Sequence, residues 1–201
     1  MVIAGHNGAG KTTCYKKYLR DALKAHLVHH IDPDAIEQEI REALIGEPLI
    51  EDQFAQLAQS EASQLRNMYL DTQVSFSFET VFSDPYGDKL NFLDEARRRG
   101  YVVALLAVSL ESPEKSADRV ALRVAAGGHN VPMDRIRARY PRVLDNIMQA
   151  TRIVNVALLV DNSEDNVTDD TGAYAAFALY VNGVERAIEY DAPQWWQKAR
   201  A

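Results

Sequence analysis

The chain of 201 residues has a single cysteine, Cys14, so no intrachain disulfide can form, which suits a reducing compartment. No apolar run approaches the ~18 residues that a membrane-spanning helix requires. The longest, Tyr101 to Val108, has the length of a buried strand. Aromatic residues make up only 8% and do not alternate with basic ones as an RNA-binding platform would require. Positive charge is also in the minority: a formal net charge of −7 argues against general attraction to nucleic acid. There is no repeat, linker or low-complexity tract. No h-region precedes the glycine turn that begins at Gly5, so the chain reads as cytoplasmic and without a membrane partner. What remains is an ordinary globular mixture, 47% hydrophobic and 25% charged, long enough for one domain with a sizeable core.

Against this background stands Gly5-His6-Asn7-Gly8-Ala9-Gly10-Lys11-Thr12, which fits G-x-x-x-x-G-K-[ST]. In such a P-loop the backbone N–H groups of the turn cradle nucleotide phosphates. The lysine reaches the β- and γ-phosphates, and the following hydroxyl ligates Mg²⁺. Val2-Ile3-Ala4 reads as the end of a buried strand, and Lys11 to Lys24 has helical spacing. Strand, glycine turn and helix N-terminus thus come in the required order, with the helix dipole facing the anion. Gly5, His6, Asn7, Gly8, Ala9, Gly10, Lys11, Thr12 and Thr13 are the candidate ATP-binding residues, with Thr12 also a candidate Mg²⁺ ligand. Cys14 follows on the same helix, where a packing role is expected.

The rest of the chain alternates strands with helices. Leu27 to Ile31 is a β-type run. Asp32 then caps a helix with Pro33 at its first position, running to about Leu44. Glu51 to Leu70 is helical, so 33–72 reads as a helical insertion on the substrate side of a single domain spanning 1–201. Val74 to Glu79 is a strand, Asp84-Pro85 starts a helix, and Tyr101 to Val108 is apolar on both faces like a parallel strand between helical layers. Ser112-Pro113-Glu114 opens a helix closed by Gly127-Gly128. Pro132 begins another, bent or restarted at Pro141, so that 113–150 forms a helical lid. Ile153 to Val160 is the last core strand, and Asn182-Gly183 signals a C-terminal hairpin within 172–191. The expected class is α/β: a doubly wound, mostly parallel sheet of the P-loop type.

Ligands of such sheets bind beyond the carboxyl ends of the strands. Asp32 and Asp34 follow the second strand, and Glu79 ends the third, where an unpaired charge in an apolar strand would be costly. Asp32 reads equally as a helix cap. A phosphoryl-transfer site needs one carboxylate for the acceptor hydroxyl and one acting on Mg²⁺. Arg119 and Arg123 share a face of one predicted helix, and Arg135, Arg139 and Arg142 share a face of the next, as a lid over a triphosphate requires. The alternative is a solvated basic face. His29 and His30 are adjacent on a strand, so they point to opposite faces and cannot jointly hold a metal. His26 lacks a ligand-spaced partner, and Trp195-Trp196 reads as a stapling contact. Asp161-Asn162-Ser163 follows the last core strand, either bordering the adenine or as a plain turn.

The P-loop, the Asp32-x-Asp34 pair, the strand-end Glu79 and the arginine lid together resemble the zeta-toxin kinases. The run Arg123-Val124-Ala125-Ala126-Gly127-Gly128-His129-Asn130-Val131-Pro132 is most similar to their short zeta-like branch. The resemblance covers Val2 to about Ser163. It implies a kinase that uses ATP and Mg²⁺ to phosphorylate the 3′-hydroxyl of the sugar in UDP-N-acetylglucosamine, held inactive by a small antitoxin. Carried over by motif, Lys11 and Thr12 take the phosphates and Mg²⁺, Asp34 is the base, and Arg119 stabilises the γ-phosphate with Arg123 beside it. Asp32, Glu61, Glu79 and His129 bind substrate, and Glu79 is also a metal-side group. The larger toxins have a Gly-Thr-Gly-Arg type loop after the strand-end glutamate, where this chain has Thr80-Val81-Phe82-Ser83. His129 stands where they carry a second lid arginine. Phosphoryl transfer survives such changes more easily than acceptor identity does. A kinase for a nucleotide, NAD or a metabolite is therefore the alternative, as is a regulatory P-loop ATPase. An ABC-type ATPase would need an LSGGQ-like signature and a Walker B ending in Asp-Glu, and neither is present.

Overall fold

The computed structural model describes residues 1–128, 130–165, 174–186 and 191–200. The apolar segments form β1 Val2–Gly5, β2 His29–Ile31, β3 Phe76–Thr80, β4 Ala104–Ser109, β5 Val156–Asp161, β6 Ala175–Val181 and β7 Val184–Arg186. Their spatial order is β2-β3-β1-β4-β5-β6-β7. The first five are parallel, while β6 and β7 continue the sheet antiparallel. The helices are α1 Lys11–Cys14, α2 Arg20–Ala25, α3 Pro33–Ala43, α4 Glu51–Asp71, α5 Asp88–Arg98, α6 Pro113–Ala125, α7 Met133–Ile153 and α8 Gln194–Arg200. A π-helical turn, Tyr15–Leu19, joins α1 to α2. The expected α/β class, a doubly wound and mostly parallel sheet, is the one the chain adopts. No helix among the described residues is long and apolar enough to cross a membrane.

Strand periodicity divides the core. Val2, Ala4, Leu105 and Ala107 pack on one face with Leu93 of α5, Ile147 of α7 and Trp196 of α8. Ile3, Leu106 and Val108 turn to the other face and meet Cys14 and Tyr15. Burial raises the Cys14 thiol to about 11, as a packing residue requires. Trp196 is fully buried against Phe177, and Trp195 Nε1 donates to Asp161 Oδ2 at 3.1 Å, so the tryptophan pair does staple the C-terminal helix to the sheet.

Several boundaries differ from the sequence expectation. The helix expected from Asp84 starts at Asp88, because Asp84 Oδ1 accepts from the Asp88 N–H at 2.8 Å and so caps it from four residues upstream. α7 runs unbroken through Pro141. Both Pro141 and Arg137, whose carbonyl loses its helical donor, lie on the exposed face, where water can replace the missing bond. Ile153 belongs to α7, so the last core strand starts only at Val156. Asn182 (φ 49°) and Gly183 (φ 77°) make the expected turn between β6 and β7. Of the expected hairpin, 172, 173 and 187–190 lie outside the described residues.

Gly5 lets the central strands come together. It pairs with Val108, and a Cβ built on Gly5 would lie 1.8 Å from the Val108 carbonyl oxygen. Gly5→Ala is expected to cost about 3 kcal/mol or more through this overpacking, measured by denaturant unfolding. An unchanged midpoint would mean that β1 and β4 can part at no cost.

Candidate active site

A cavity of about 1080 Å³ opens beyond the carboxyl ends of the parallel strands. Asn7, Gly8, Gly10, Lys11, Thr12 and Thr13 line it, while Gly5, His6 and Ala9 are buried behind it. His6 stacks on Tyr140 at 4.3 Å, and burial lowers its pKa to about 3, so its ring is neutral at ordinary pH. The turn is held from behind by donors to successive carbonyls. Ala9 N–H and Lys11 Nζ donate to His6 O at 3.2 and 2.9 Å, and Ser116 Oγ to Asn7 O at 2.6 Å. Asn162 Nδ2 donates to Ala9 O at 2.9 Å and Tyr174 OH to Gly10 O at 2.8 Å. With its carbonyls engaged in this way, the turn and the first helical N–H groups, which have no intrahelical acceptor, are arranged to receive an anion. Asn162 thus does more than form a turn: it braces the loop as well as lining the cavity.

Lys11 Nζ also donates to Gly5 O at 3.2 Å. Burial lowers the Lys11 pKa, opposed by the carboxylates of Glu79, Asp34 and Asp32. Thr12 Oγ1 donates to Glu79 Oε2 at 2.8 Å. Glu79 is buried, and its other oxygen faces His30 Nε2 at 3.5 Å without a hydrogen bond. A hydroxyl and a buried carboxylate with an unsatisfied oxygen are hard donors, which suits Mg²⁺. Asp32 caps α3 by accepting from the Asp34 N–H at 3.0 Å. Its pKa is raised, first by burial and then by Glu79 and Asp34. Asp34 is the more exposed of the two and faces Arg123 Nη1 at 3.6 Å.

The cavity also collects four of the arginines expected on the two helices, but not Arg142. Arg119 and Arg123 of α6 and Arg135 and Arg139 of α7 line it, whereas Arg137 turns away to Glu114 at 3.2 Å. Arg119 Nη2 rests on Glu164 O at 3.1 Å and Asp165 Oδ1 at 3.2 Å. Arg139 Nη1 lies 3.5 Å from Asn7 Oδ1. Glu61 is not brought here. It lines a separate groove between α3 and α4, because α4 turns Asp52, Ala55, Gln59 and Arg66 toward the cavity. Two residues from Gln59 is about 200° around the helix, the opposite side. His129 lies outside the described residues. His29 stacks on Tyr69 and His30 on Tyr15. Sequence reasoning missed Arg66, Lys89 and Tyr174 as lining residues. Helical phase on α4 could have found Arg66, but nothing local marks Tyr174.

Comparison with known proteins agrees with this fold. The family model described as zeta toxin matches residues 1–172. No curated protein matches the chain in sequence. Among solved structures, the AvrRxo1-ORF1:ORF2 complex with ATP is similar at a TM-score of 0.69 and 18% identity, covering 94% of this chain. The chain corresponds to 60% of that protein's length. The PezAT toxin-antitoxin system of Streptococcus pneumoniae is similar at 0.53 and 17% identity, over 86% of this chain and 72% of that one. A putative kinase from Chloroflexus aurantiacus is similar at 0.50 and 14% identity, over 69% and 75%.

Proposed function

The chain belongs to the zeta toxin family, and on that premise we propose that it transfers the γ-phosphate of ATP to a hydroxyl of a nucleotide sugar such as UDP-N-acetylglucosamine. The observation that carries this reading is the convergence in one cavity of Lys11, Thr12 and Glu79 with Asp32, Asp34, Arg119 and Arg123. At about 1080 Å³ the cavity is at the top of the usual range for ligand sites, roughly 300–1,000 Å³, so it has room for a donor and an acceptor together.

In this reading Lys11 gives its charge to the β- and γ-phosphates. Asp34 accepts the acceptor's hydroxyl proton: Asp32 has one oxygen committed to its cap, while the Asp34 carboxylate faces Arg123 at 3.6 Å. Arg119 and Arg123 stabilise charge on the transferring group and exclude water as the lid closes. Thr12 and Glu79 would hold Mg²⁺, which when bound neutralises charge on the phosphates. Residues 33–72 form the acceptor side and 113–150 the lid. The chain acts in the cytoplasm, as the toxin of a toxin–antitoxin pair, with a small antitoxin protein as its partner.

The test is incubation with γ-labelled ATP, Mg²⁺ and a panel of nucleotide sugars, nucleotides, NAD and metabolites. Label is expected on UDP-N-acetylglucosamine. Label on another acceptor would keep the kinase and overturn the nucleotide sugar. Label only in inorganic phosphate would make the protein an ATPase. Asp34→Asn is expected to keep nucleotide affinity near wild type and to cut transfer by about two to four decades, the range for losing a general base. If Asp32→Asn does this instead, the two roles are reversed. Loss of nucleotide binding in the Asp34 variant would point to metal ligation.

A further inference from the structure

Seven cationic and seven acidic side chains line the cavity, and four of the cations are gathered by three helices outside the phosphate loop and α6. Arg66 of α4, Lys89 of α5, and Arg135 and Arg139 of α7 all line it. Among the described residues, Arg66, Arg135 and Arg139 have no carboxylate within 4.0 Å. The neighbouring arginines differ: Arg137 pairs with Glu114 and Arg119 with Asp165, each at 3.2 Å. Lys89 has only Asp84 Oδ2, at 4.0 Å, and the other Asp84 oxygen is taken by the cap of α5. Lys89 also sits in the first turn of α5, where the helix dipole disfavours a cation.

These side chains are constrained. The Arg66 guanidinium lies over the Phe78 ring, 5.3 Å from its centroid, and Arg139 reaches the phosphate loop at Asn7 Oδ1, 3.5 Å away. Burial lowers the pKa of Lys89; Asp84 and Asp88 oppose this, while Arg66 and Arg139 add to it. The cations therefore feel one another across the space between their helices. Cations gathered in a partly buried cleft, with no carboxylate in contact with Arg66 or Arg139 among the described residues, repel one another, and an entering anion relieves that repulsion. A solvated basic face would leave them apart and exposed to water.

We propose that Arg66, Lys89 and Arg139 form an anion subsite beside the phosphate loop that receives a phosphate or diphosphate of the acceptor, so that the acceptor is a phosphate-bearing molecule and a neutral sugar is not. The proposal rests on the kinase reading above and assigns residues to its acceptor side. Two guanidinium forks match phosphate oxygens in pairs, and the ammonium adds a point charge between them.

The test uses the full chain saturated with Mg²⁺ and a non-hydrolysable ATP analogue, so that the phosphate loop is filled. It is then titrated with inorganic pyrophosphate in a calorimeter. Binding is expected in the wild type, with a weakening of about tenfold or more in each of Arg66→Gln and Lys89→Gln, the scale of one charged hydrogen bond. Arg66→Lys is expected to recover part of the loss. Affinity for the ATP analogue serves as the check on folding, and if Arg66→Gln fails it, Lys89→Gln decides. No pyrophosphate binding by the saturated wild type, or equal binding by the variants, overturns the subsite. Pyrophosphate binding that depends on Arg66 and Lys89, in a protein that labels no nucleotide sugar, supports the subsite and overturns the acceptor proposed above. Labelling of a nucleotide sugar without such binding does the reverse.

Discussion

Replacing Lys11 by alanine is expected to reduce ATP turnover to background while leaving the fold intact. In the free protein its ammonium lies on Gly5 O and His6 O, at 3.2 and 2.9 Å, with Glu79, Asp34 and Asp32 opposing the lowering of its pKa by burial. Arriving phosphates offer charged acceptors in place of two neutral carbonyls, and bonds to charged oxygens are roughly twice as strong. The hydrophobic core makes no use of the side chain. Circular dichroism and thermal unfolding should therefore match the wild type, while a coupled turnover assay reads no activity. Phosphoryl transfer at the wild-type rate would remove the P-loop reading altogether.

Substituting Arg119 by alanine is expected to lower kcat by about a thousandfold or more while changing ATP affinity much less, as for other arginines that act on a transferring phosphoryl group. The stem of Arg119 lies against the phosphate loop, since a Cβ on Gly8 would come within 3.1 Å of its own Cβ. Its guanidinium is turned aside to Glu164 O and Asp165. Asp165 is 67% exposed, so water screens the pair and can replace the arginine there when it turns toward the phosphates. Charge builds up on the γ-phosphoryl oxygens as the bond breaks, which is when the arginine matters most. Lysine at 119 should rescue only in part, because it lacks the planar fork. Steady-state kinetics alongside equilibrium ATP binding separate the outcomes. Equal losses of rate and affinity would mean a ground-state clamp, and no loss would return the arginine to the solvated surface.

Much of this was legible in the sequence because its signals are local. The P-loop, the Asp32 cap with Pro33 behind it, the Ser112-Pro113 helix start and the Asn182-Gly183 turn each act within a few residues. The apolar runs of β1 and β4 marked buried strands, and the alternation from Val74 to Glu79 marked β3. Asp84-Pro85 carries a helix-start signal, but Asp84 accepts from the Asp88 N–H and α5 begins only there. Pro141 suggests a bend or restart, but the exposure that lets α7 continue through it is set by packing.

Composition and motif by themselves determined the α/β class, the position of the phosphate loop and the carboxylates and arginines available for chemistry. Only the tertiary structure decided which of them meet. It turned Glu61 into a side groove and drew in Arg66 and Lys89. It braced the phosphate loop with Asn162 and Tyr174, whose hydrogen bonds span 153 and 164 residues of chain. The reason is physical: a residue's type and its place on a helix face follow from its neighbours in sequence. Which charges share a cavity depends instead on how the helices cross over the sheet, and that is settled by burial of the whole core.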